Sequence, residues 1–399
     1  MKDKLESKSQ SNNSIYMDNA ASTPVNSEVI NDMMPYLFEH YGNPSSLHRM
    51  GRQAALAISK SRMRIAKLIN ADPSEIYFTS GGTESNNLSI IGSAKKIRKE
   101  NPKCNRLLTS AIEHESILET VKYIQNELGF VIDYVPSSRD GFVDLVTFKE
   151  MITKETGLVT IMLVNNEIGT IQPIKELVKY AKSVSKEIIF HSDSVQALGK
   201  IPIDVEELGV DMLSLSSHKI NGPKGVGALY LKKGILIEPI IYGGGQEIRL
   251  RSGTENVASI VGFGKACEIY RKKIGPYNSH LMQLQKYFVE RINNEIPEAK
   301  INGSLENRIW NNLNYSFNGI NGEDLLIKLD ELGLEVSTGS ACSSKRRKKA
   351  SHVLESIGLS YDEISSSIRF SLGIQNSIEE INTATDILKR AILEIKNSK

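Results

Sequence analysis

The sequence predicts an α/β fold in which a mostly parallel sheet is covered by helices on both faces, followed by a smaller α+β domain. Short apolar runs of strand type alternate with amphipathic helical runs through the first two thirds of the chain. This alternation is typical of strand–helix–strand units with parallel strands. The pattern changes near residue 258, where a long helical stretch begins.

Seven short apolar runs are the predicted strands of the larger domain. They are Ile76–Ser80, Arg106–Ser110, Phe130–Val135, Leu158–Val164, Glu187–His191, Met212–Leu215 and Gly227–Leu231. The amphipathic runs with apolar residues at helical spacing are Glu84–Lys99, Glu115–Leu128 and Ile174–Lys186. We therefore expect a seven-stranded sheet flanked by helices in a large domain over residues 15–258.

The last third of the chain predicts a small C-terminal domain over residues 259–399. Its expected elements are a helix over Ala258–Ile296, a strand over Trp310–Phe317 and helices over Asp324–Leu332 and Ile378–Ile395. At the other end, residues 1–14 are polar and rich in lysine, without the apolar stretch of a signal peptide. We expect them to form a disordered N-terminal tail.

Composition excludes several classes of protein. The 399 residues are 40% hydrophobic and 24% charged, which are ordinary globular values and rule out collagen-like, coiled-coil and disordered chains. With 49 basic and 47 acidic side chains, the net charge of +2 predicts no direct nucleic-acid partner and no membrane. Three widely spaced cysteines form neither a zinc knuckle nor a disulfide framework, so we expect a cytoplasmic protein without a resident metal.

A glycine pair at a predicted strand end is the strongest local signal. In the run Ile76–Asn87, the strand ends at Gly81-Gly82 and a helix begins at Thr83. Glycines allow close approach of an anion to the N–H groups and the positive end of a helix, as in a phosphate cup. An ordinary helix N-terminus after a tight turn is the alternative. The run contains neither the lysine of a Walker loop nor GxGxxG, so ATP and NAD are poorly supported.

Two further strand ends complete a chemical pattern. Asp193 follows one buried strand, and Lys219 follows the next strand along the chain. A lysine amine, a carboxylate and a phosphate cup are what pyridoxal phosphate (PLP) needs, because the lysine binds the cofactor and the carboxylate keeps the pyridine nitrogen protonated. Each residue taken singly is more often a cap or a surface group. Together they favour a PLP enzyme.

Nine motifs, in order, resemble those of one enzyme family. They are YMDNAAST, YGNPSSLH, TSGGTESNN, IEHES, VNNEIGTIQP, DSVQ, SSHKINGPKGVGALY, GGGQEIRLRSGTEN and STGSACSS. They are similar to those of cysteine desulfurases of the NifS/IscS type, in the class V aminotransferase group of fold-type I PLP enzymes. The resemblance covers about residues 15–395.

The resemblance implies a role for each site residue. Lys219 is the lysine that binds PLP, Asp193 the partner of the pyridine nitrogen, and His114 the residue that stacks on the ring and moves protons. Gln196 and Asn166 are implied to bind the ring oxygen. The phosphate would be held by Gly82, Thr83, Ser216 and His218. Thr254 would reach the phosphate from the neighbouring subunit, which implies a homodimer with shared active sites.

Substrate binding is implied for two residues. Arg369 would clamp the carboxylate of L-cysteine, because a planar guanidinium forms the two parallel bonds that a lysine does not reproduce. Asn43 is a weaker candidate for the same end of the substrate.

Cys342 is the predicted nucleophile. It lies among small polar residues and precedes the basic run Lys345–Lys349, a setting that favours exposure and the thiolate form. Cys104 and Cys267 are expected to be buried and inert. The resemblance places Cys342 on a catalytic loop at about residues 335–350, where it would take sulfur as a persulfide and could contact a nascent iron–sulfur cluster. The basic run is either a solvated segment or a docking site for an acidic or RNA-bound acceptor.

The resemblance implies PLP-dependent conversion of L-cysteine to L-alanine with sulfur transfer to Cys342. The acceptor after that is an iron–sulfur scaffold, a tRNA-thiolation enzyme or a nitrogenase-maturation protein, and the residues do not choose among them. Ile374 after Gly373 and the end of the chain at Lys399 depart from the pattern of housekeeping members, which weakens the scaffold assignment. Alternatives are a selenocysteine lyase or aminotransferase on the same fold, and a sulfur-relay scaffold without turnover.

Overall fold

The computed structural model describes residues 14–338 and 350–397. Most of the predicted tail, Cys342 and the basic run Lys345–Lys349 lie outside these residues. The described part divides into two compact units. The larger unit comprises Ser22–Asn166 and Thr170–Pro276, and the smaller unit comprises the described residues within Met1–Ala21, Glu167–Gly169 and Tyr277–Lys399.

The strands are numbered in chain order. They are β1 (Ile15–Tyr16), β2 (Ile76–Thr79), β3 (Arg106–Ser110), β4 (Val131–Val135), β5 (Thr156–Thr160), β6 (Ile189–Asp193), β7 (Met212–Ser216), β8 (Gly227–Leu231), β9 (Ala299–Ile301), β10 (Asn312–Phe317), β11 (Leu334–Glu335) and β12 (Ser367–Ser371).

The α-helices are numbered in the same way. They are α1 (Ser27–Met33), α2 (Pro35–Phe38), α3 (Arg49–Ile69), α4 (Gly82–Glu100), α5 (Glu115–Leu128), α6 (Leu145–Met151), α7 (Ile174–Val184), α8 (Val205–Leu208), α9 (Val257–Glu295), α10 (Gly322–Glu331), α11 (His352–Ser356), α12 (Tyr361–Ser365) and α13 (Ile378–Asn397). Within the described ranges, no helix has both the length and the apolar character that a membrane span needs.

The larger unit contains, within the described residues, a seven-stranded sheet in the order β2-β8-β7-β6-β5-β3-β4. β8 runs antiparallel to both of its neighbours, and the other neighbouring pairs are parallel. The short link from β7 to β8 explains the antiparallel step, since a parallel crossover needs a dozen or more residues. The predicted mostly parallel α/β sheet is confirmed.

Of the seven predicted strands of this sheet, Leu158–Val164 differs most in extent from the observed strand, and the other six agree to within two residues at each end. The expected strand Leu158–Val164 begins two residues earlier and ends at Thr160, as β5. Residues Ile161 and Leu163 are still hydrogen-bonded through their N–H groups to the carbonyls of His191 and Asp193. This segment stays buried where the strand ends at the edge of the sheet, which explains why the apolar run is longer than the strand.

A buried apolar cluster joins α4 and α5 to the sheet of the larger unit. Its members include Leu88, Ile90, Leu107, Ile117, Val121, Leu158, Met212 and Leu229. Burial of apolar side chains on both faces is the reason that parallel strands read as continuous apolar runs. This packing fixes the start of α4 beside the ends of β6 and β7.

The smaller unit contains the antiparallel sheet β12-β10-β9 and the parallel pair β1-β11. Aromatic side chains form the centre of its core. Phe370 meets Phe288 edge to face with ring centroids 5.3 Å apart, and Phe317 lies 6.4 Å from Phe370. The core also includes Leu325, Leu329 and Leu388.

The two units divide within α9, at Pro276, whereas the sequence places the boundary at residue 258. The first half of α9 packs on the larger unit. A Cβ added at Gly264 would lie 2.7 Å from the Cα of Ser61, and one at Gly262 would lie 2.5 Å from the Sδ of Met33. Helical periodicity shows where α9 begins but not which half packs on which neighbour.

Candidate active site

Two predicted site residues lie at one edge of the larger sheet. β6 ends at Asp193 and β7 ends at Ser216, and these parallel neighbours pair Asp193 with Ser214. A single turn, Ser217–Lys219, follows β7 directly. Because parallel strands end at the same edge of a sheet, Asp193 and Lys219 are brought to one edge, where ligands bind in open α/β sheets.

Asp193 has both carboxylate oxygens held by N–H donors. Oδ2 accepts from Nδ2 of Asn86 at 2.7 Å, and Oδ1 accepts from the backbone N–H of Val195 at 3.0 Å. The side chain is 6% exposed. An oriented, nearly buried carboxylate fits the partner that keeps a pyridine nitrogen protonated.

The start of α4 lies against the same edge. A Cβ added at Gly82 would lie 2.6 Å from Cγ2 of Val195 and 3.8 Å from Cβ of Ser216. Among the described residues, no side chain caps α4 at Gly81, which leaves the N–H groups of its first turn for another acceptor. Thr83 is exposed at the second position of this helix. The donor set therefore fits a phosphate group.

His218 lies beside Lys219 as a neutral imidazole. Burial, together with the charges of Lys219, Lys224 and Lys200, lowers the pKa of His218 to about 4. Its carbonyl accepts from both N–H and Oγ1 of Thr23, at 3.0 and 2.8 Å. The imidazole is thus a neutral hydrogen-bonding group at neutral pH.

Gln196 is oriented by a buried lysine. Its Oε1 accepts from Nζ of Lys200 at 2.8 Å, and the two side chains are 5% and 7% exposed. Because this bond uses Oε1, the amide nitrogen of Gln196 points away from Lys200. Asn166 is half-buried, after Asn165, whose Nδ2 donates to the carbonyl of Ile112 at 2.9 Å. The roles of Gln196 and Asn166 toward the ring oxygen stay predictions.

His114 is the N-cap of α5. Its Nδ1 accepts from the backbone N–H of Ser116 at 3.1 Å and lies 2.8 Å from Oγ of Ser116. That hydroxyl also accepts from Nδ2 of Asn86 at 2.8 Å. Asn86 and Ser116 therefore join His114 to Asp193 in one network.

The residue before His114 is a buried carboxyl group. Burial raises the pKa of Glu113 to about 8. Its Oε1 accepts from Oγ of Ser110 at 2.5 Å and from the backbone N–H of Met162 at 2.9 Å. These bonds tie the segment before α5 to the ends of β3 and β5.

The segment that contains Thr254 is anchored to the start of α4. Arg251 forms two bonds to Glu84, from Nε to Oε1 at 2.8 Å and from Nη2 to Oε2 at 3.1 Å. Thr254 is exposed and lines a cavity of about 180 Å³ together with Ser80 and Gly225. Its action across a dimer stays a prediction.

The same segment contains a strained turn. The residues Glu247, Ile248 and Arg249 have φ values of 46°, 55° and 64°, which are uncommon for residues other than glycine. The buried Glu247 side chain accepts from Arg62 and from the backbone N–H of Phe78. These bonds hold the turn in its uncommon conformation.

Arg369, in the smaller unit, lies at the centre of β12 and is 5% exposed. Its Nη2 donates to Oδ1 of Asp18 at 2.8 Å, across 351 positions of sequence. The Asp18 side chain is 20% exposed, so the pair is only partly buried, and loss of Asp18 would remove one bond from a guanidinium that is nearly buried. Asp18 therefore orients the guanidinium, and the contact to a substrate carboxylate stays a prediction.

Residues on either side of positions 339–349 are tied to the smaller unit. Ser337 exchanges two backbone hydrogen bonds with Arg369, at 3.2 and 2.6 Å. After the segment, Oγ of Ser351 donates to Oε2 of Glu167 at 2.5 Å, and both side chains are 4% exposed. Cys342 itself lies outside the described residues.

Three other predicted residues are placed as follows. Asn43 is exposed, and its Oδ1 accepts from the N–H of Ser45 at 2.9 Å in a local turn, so its substrate role stays a prediction. Cys267 is buried as expected, and burial raises its thiol pKa. The expected burial of Cys104 was wrong, because this residue is half-buried and its Sγ accepts from Nδ2 of Asn101 at 3.1 Å, and its inertness stays a prediction.

Sequence reasoning missed the residues that hold the predicted ones in place: Asn86, Ser116, Lys200, Asp18 and Glu113. The sequence gives no signal for Asn86 or Asp18, because each reads as an ordinary polar residue. Only the structure shows that Ser85 and Asn86 are buried, and burial of a polar side chain indicates a polar partner inside the fold.

Comparisons with known proteins identify the family of the chain. The family profile described as "Aminotransferase class-V" matches residues 15–383. The chain is 47% identical over 382 residues to "Cysteine desulfurase IscS" of Dictyoglomus turgidum, covering 96% of this chain and 95% of the relative.

Two solved structures are also similar. One, described as "NIFS-LIKE PROTEIN", has a TM-score of 0.89 at 39% identity and covers 96% of this chain and 99% of its own. Another, "SspA in complex with cysteine", has a TM-score of 0.79 at 38% identity and covers 90% of this chain and 98% of its own. The chain therefore belongs to the class-V aminotransferase family, in its group of NifS/IscS-type cysteine desulfurases.

Proposed function

We propose that this protein is a PLP-dependent cysteine desulfurase that converts L-cysteine to L-alanine and takes the sulfur as a persulfide on Cys342. The observation that supports this most is the shared edge of β6 and β7. There the oriented carboxylate of Asp193, the turn that ends at Lys219 and the uncapped start of α4 lie together. A carboxylate, a lysine amine and an anion site are the three groups that PLP requires.

PLP, when bound, supplies an electron sink that makes cleavage of the substrate carbon–sulfur bond feasible. The residues of the chain do the rest. Lys219 would bind the cofactor through its amine, and Gly82, Thr83, Ser216 and His218 would hold the phosphate. Arg369 would orient the L-cysteine carboxylate, and His114 would move protons near the reacting carbon.

Cys342 would take the sulfur atom directly from the substrate. The Cys342 thiolate attacks the substrate sulfur, so a sulfur–sulfur bond forms while the carbon–sulfur bond breaks. The carbon takes a proton and leaves as alanine, and Cys342 keeps the sulfur as a persulfide. No external oxidant is required. The persulfide would then pass its sulfur to an iron–sulfur scaffold or to a tRNA sulfurtransferase.

The first test is alanine formation from L-cysteine with a thiol reductant. Wild type is compared with Cys342→Ala and Lys219→Ala, and Cys104→Ala is the matched cysteine control. We expect Cys342→Ala to keep the visible absorbance of the cofactor but to form no alanine. Lys219→Ala should lose the normal absorbance as well as the activity, and Cys104→Ala should behave as wild type.

Other outcomes identify the alternative functions. Equal alanine formation by wild type and Cys342→Ala would indicate a lyase, and a keto-acid product would indicate an aminotransferase. A wild-type protein that binds no PLP would indicate a sulfur-relay scaffold.

We also infer a homodimer, because Thr254 is exposed and has a predicted role in the neighbouring subunit. Mixing two inactive variants, Lys219→Ala and Thr254→Ala, tests this. If active sites are shared, mixed dimers contain one site with both wild-type residues and regain activity. A mixture with no more activity than its components would contradict sharing.

A further inference from the structure

Asn86 lies at the centre of a buried polar network in the larger unit. It is 1% exposed and lies in the second turn of α4. Its Nδ2 donates one hydrogen to Oδ2 of Asp193 at 2.7 Å and the other to Oγ of Ser116 at 2.8 Å. A carboxylate accepts only, so the bond to Asp193 determines which end of the Asn86 amide points into the network. The Oδ1 atom of Asn86 is buried, without a hydrogen-bond partner among the described residues.

The second half of the network determines where His114 has its proton. The backbone N–H of Ser116 donates to Nδ1 of His114, so that nitrogen is an acceptor. Oγ of Ser116 already accepts from Asn86 and has one hydrogen of its own, which points to the same Nδ1 at 2.8 Å. A neutral imidazole has one N–H. With Nδ1 accepting, that N–H is at Nε2.

A buried amide oxygen without a hydrogen-bond partner lowers the stability of the folded state. Replacing Asn86 by an apolar residue would remove that cost but also both donor bonds. The amide therefore donates to Asp193 and to Ser116, which contacts His114, while its own oxygen has no partner within the described part of the chain.

We propose that Asn86 is a positioning residue that orients Asp193 directly and, through Ser116, holds His114 as the Nε2–H tautomer. His114 then offers a proton from Nε2. Each of the two bonds from Ser116 separately disfavours a proton at Nδ1: the backbone N–H can only donate, and the hydroxyl donates to Nδ1 because it already accepts from Asn86. This inference rests on the proposed function, since the roles of Asp193 and His114 come from it.

The tautomer is tested by nitrogen-15 NMR of the histidine rings in the holoenzyme without substrate. The His114 signal is assigned by its absence in His114→Gln. We expect an N–H at Nε2 in wild type and a mixture of tautomers, or exchange between them, in Ser116→Ala and Asn86→Ala. Ser93→Ala removes another buried hydroxyl, which lies farther along α4, and should leave the signal unchanged. An Nδ1–H tautomer in wild type would overturn the proposal.

Two further readouts separate the two halves of the network. Asn86→Ala should change the visible absorbance of bound cofactor, because it releases Asp193, whereas Ser116→Ala should not. For alanine formation we expect kcat to fall about 3- to 10-fold in Ser116→Ala, with KM unchanged, as the loss of one hydrogen bond predicts. Ser116→Thr should restore it. If Asn86→Ala keeps the wild-type absorbance, Asn86 does not orient Asp193. If Ser116→Ala keeps the wild-type kcat, Ser116 does not position His114.

Failure of the proposed function is distinguishable from failure of this inference. If the wild-type holoenzyme forms no alanine from L-cysteine, the proposed function fails, and the His114 signal alone decides the inference. An Nε2–H signal that Ser116→Ala perturbs then supports it, and an unperturbed signal overturns it.

Discussion

The two units hold their predicted catalytic groups in different ways. In the larger unit, Asp193 accepts hydrogen bonds from the side chain of Asn86, in α4, and from the backbone N–H of Val195, two residues after it. In the smaller unit, Arg369 lies in the middle of a strand and pairs with Asp18, which comes from the first residues that the structure describes.

The difference follows from where each residue lies in its sheet, at the end of a strand for Asp193 and inside a strand for Arg369. In a parallel sheet the carboxyl ends of neighbouring strands lie at the same edge. Polar residues at those ends are therefore close together in space, whatever their separation in sequence. A charged residue in the middle of a buried strand is different. Its backbone groups are used in the hydrogen bonds of the sheet, so its side chain needs a specific partner elsewhere in the fold. Asp193 therefore depends on neighbours at its own sheet edge, whereas Arg369 is bonded to a residue that is distant in sequence.

The largest expected effect is on the pH dependence of stability, and it concerns the buried Glu113 in the larger unit. Its pKa is about 8 in the folded protein, above the usual value of 4.5. Between these pH values the folded state binds a proton that the unfolded state has lost, so stability falls as pH rises through the window. We expect Glu113→Gln to remove this fall, which is on the order of a few kcal/mol at about 1.4 kcal/mol for each pH unit.

The measurement is the free energy of unfolding in urea at several pH values from about 5 to 8. Glu115→Gln, a neighbouring and exposed carboxyl, is the control and should keep the wild-type pH dependence. If Glu113→Gln follows the wild-type curve, the carboxyl is ionised in the folded protein and burial does not dominate its environment.

The next effect tests the ion pair of the smaller unit. Arg369→Lys keeps the charge but loses the planar guanidinium that could bind Asp18 and a substrate carboxylate together. Bonds to charged groups contribute about 1.5–3 kcal/mol, so kcat/KM for L-cysteine should fall roughly 10- to 100-fold, mainly through KM.

Arg390→Lys in α13 is the matched control, because that arginine is exposed and bonds to Glu394 within its own helix. Its kinetics should equal those of wild type. A fall in kcat without a change in KM for Arg369→Lys would argue against carboxylate binding.

The smallest effect concerns the bond between Ser351 and Glu167. Ser351 also caps α11 through the N–H of Leu354 at 3.1 Å. Ser351→Ala should therefore lower stability by about 1–2 kcal/mol and should speed tryptic cleavage at the basic residues 345–349 in the folded protein.

Ser360→Ala removes a comparable helix cap, on α12, without a bond to Glu167. It should lower stability by a similar amount and leave the cleavage rate unchanged. Equal cleavage rates for the two variants would show that the Glu167 bond does not restrain this part of the chain.

The class of the fold and most of the residues at the sheet edge are predictable from the amino-acid sequence. Apolar runs alternating with amphipathic ones specify parallel strands, and Asp193, Lys219 and the Gly81-Gly82 pair are recognisable because each directly follows or precedes such a run. These are local signals, and the geometry of a parallel sheet converts them into proximity.

The side chains that hold these groups are visible only in the folded structure. Asp18 pairs with Arg369 across 351 positions, and Asn86 meets Asp193 across 107. No local pattern encodes such pairs, because a polar residue reads alike in sequence whether solvent or a buried partner satisfies it. The boundary at Pro276 has the same origin, since it depends on which neighbours each half of α9 contacts and not on helical periodicity.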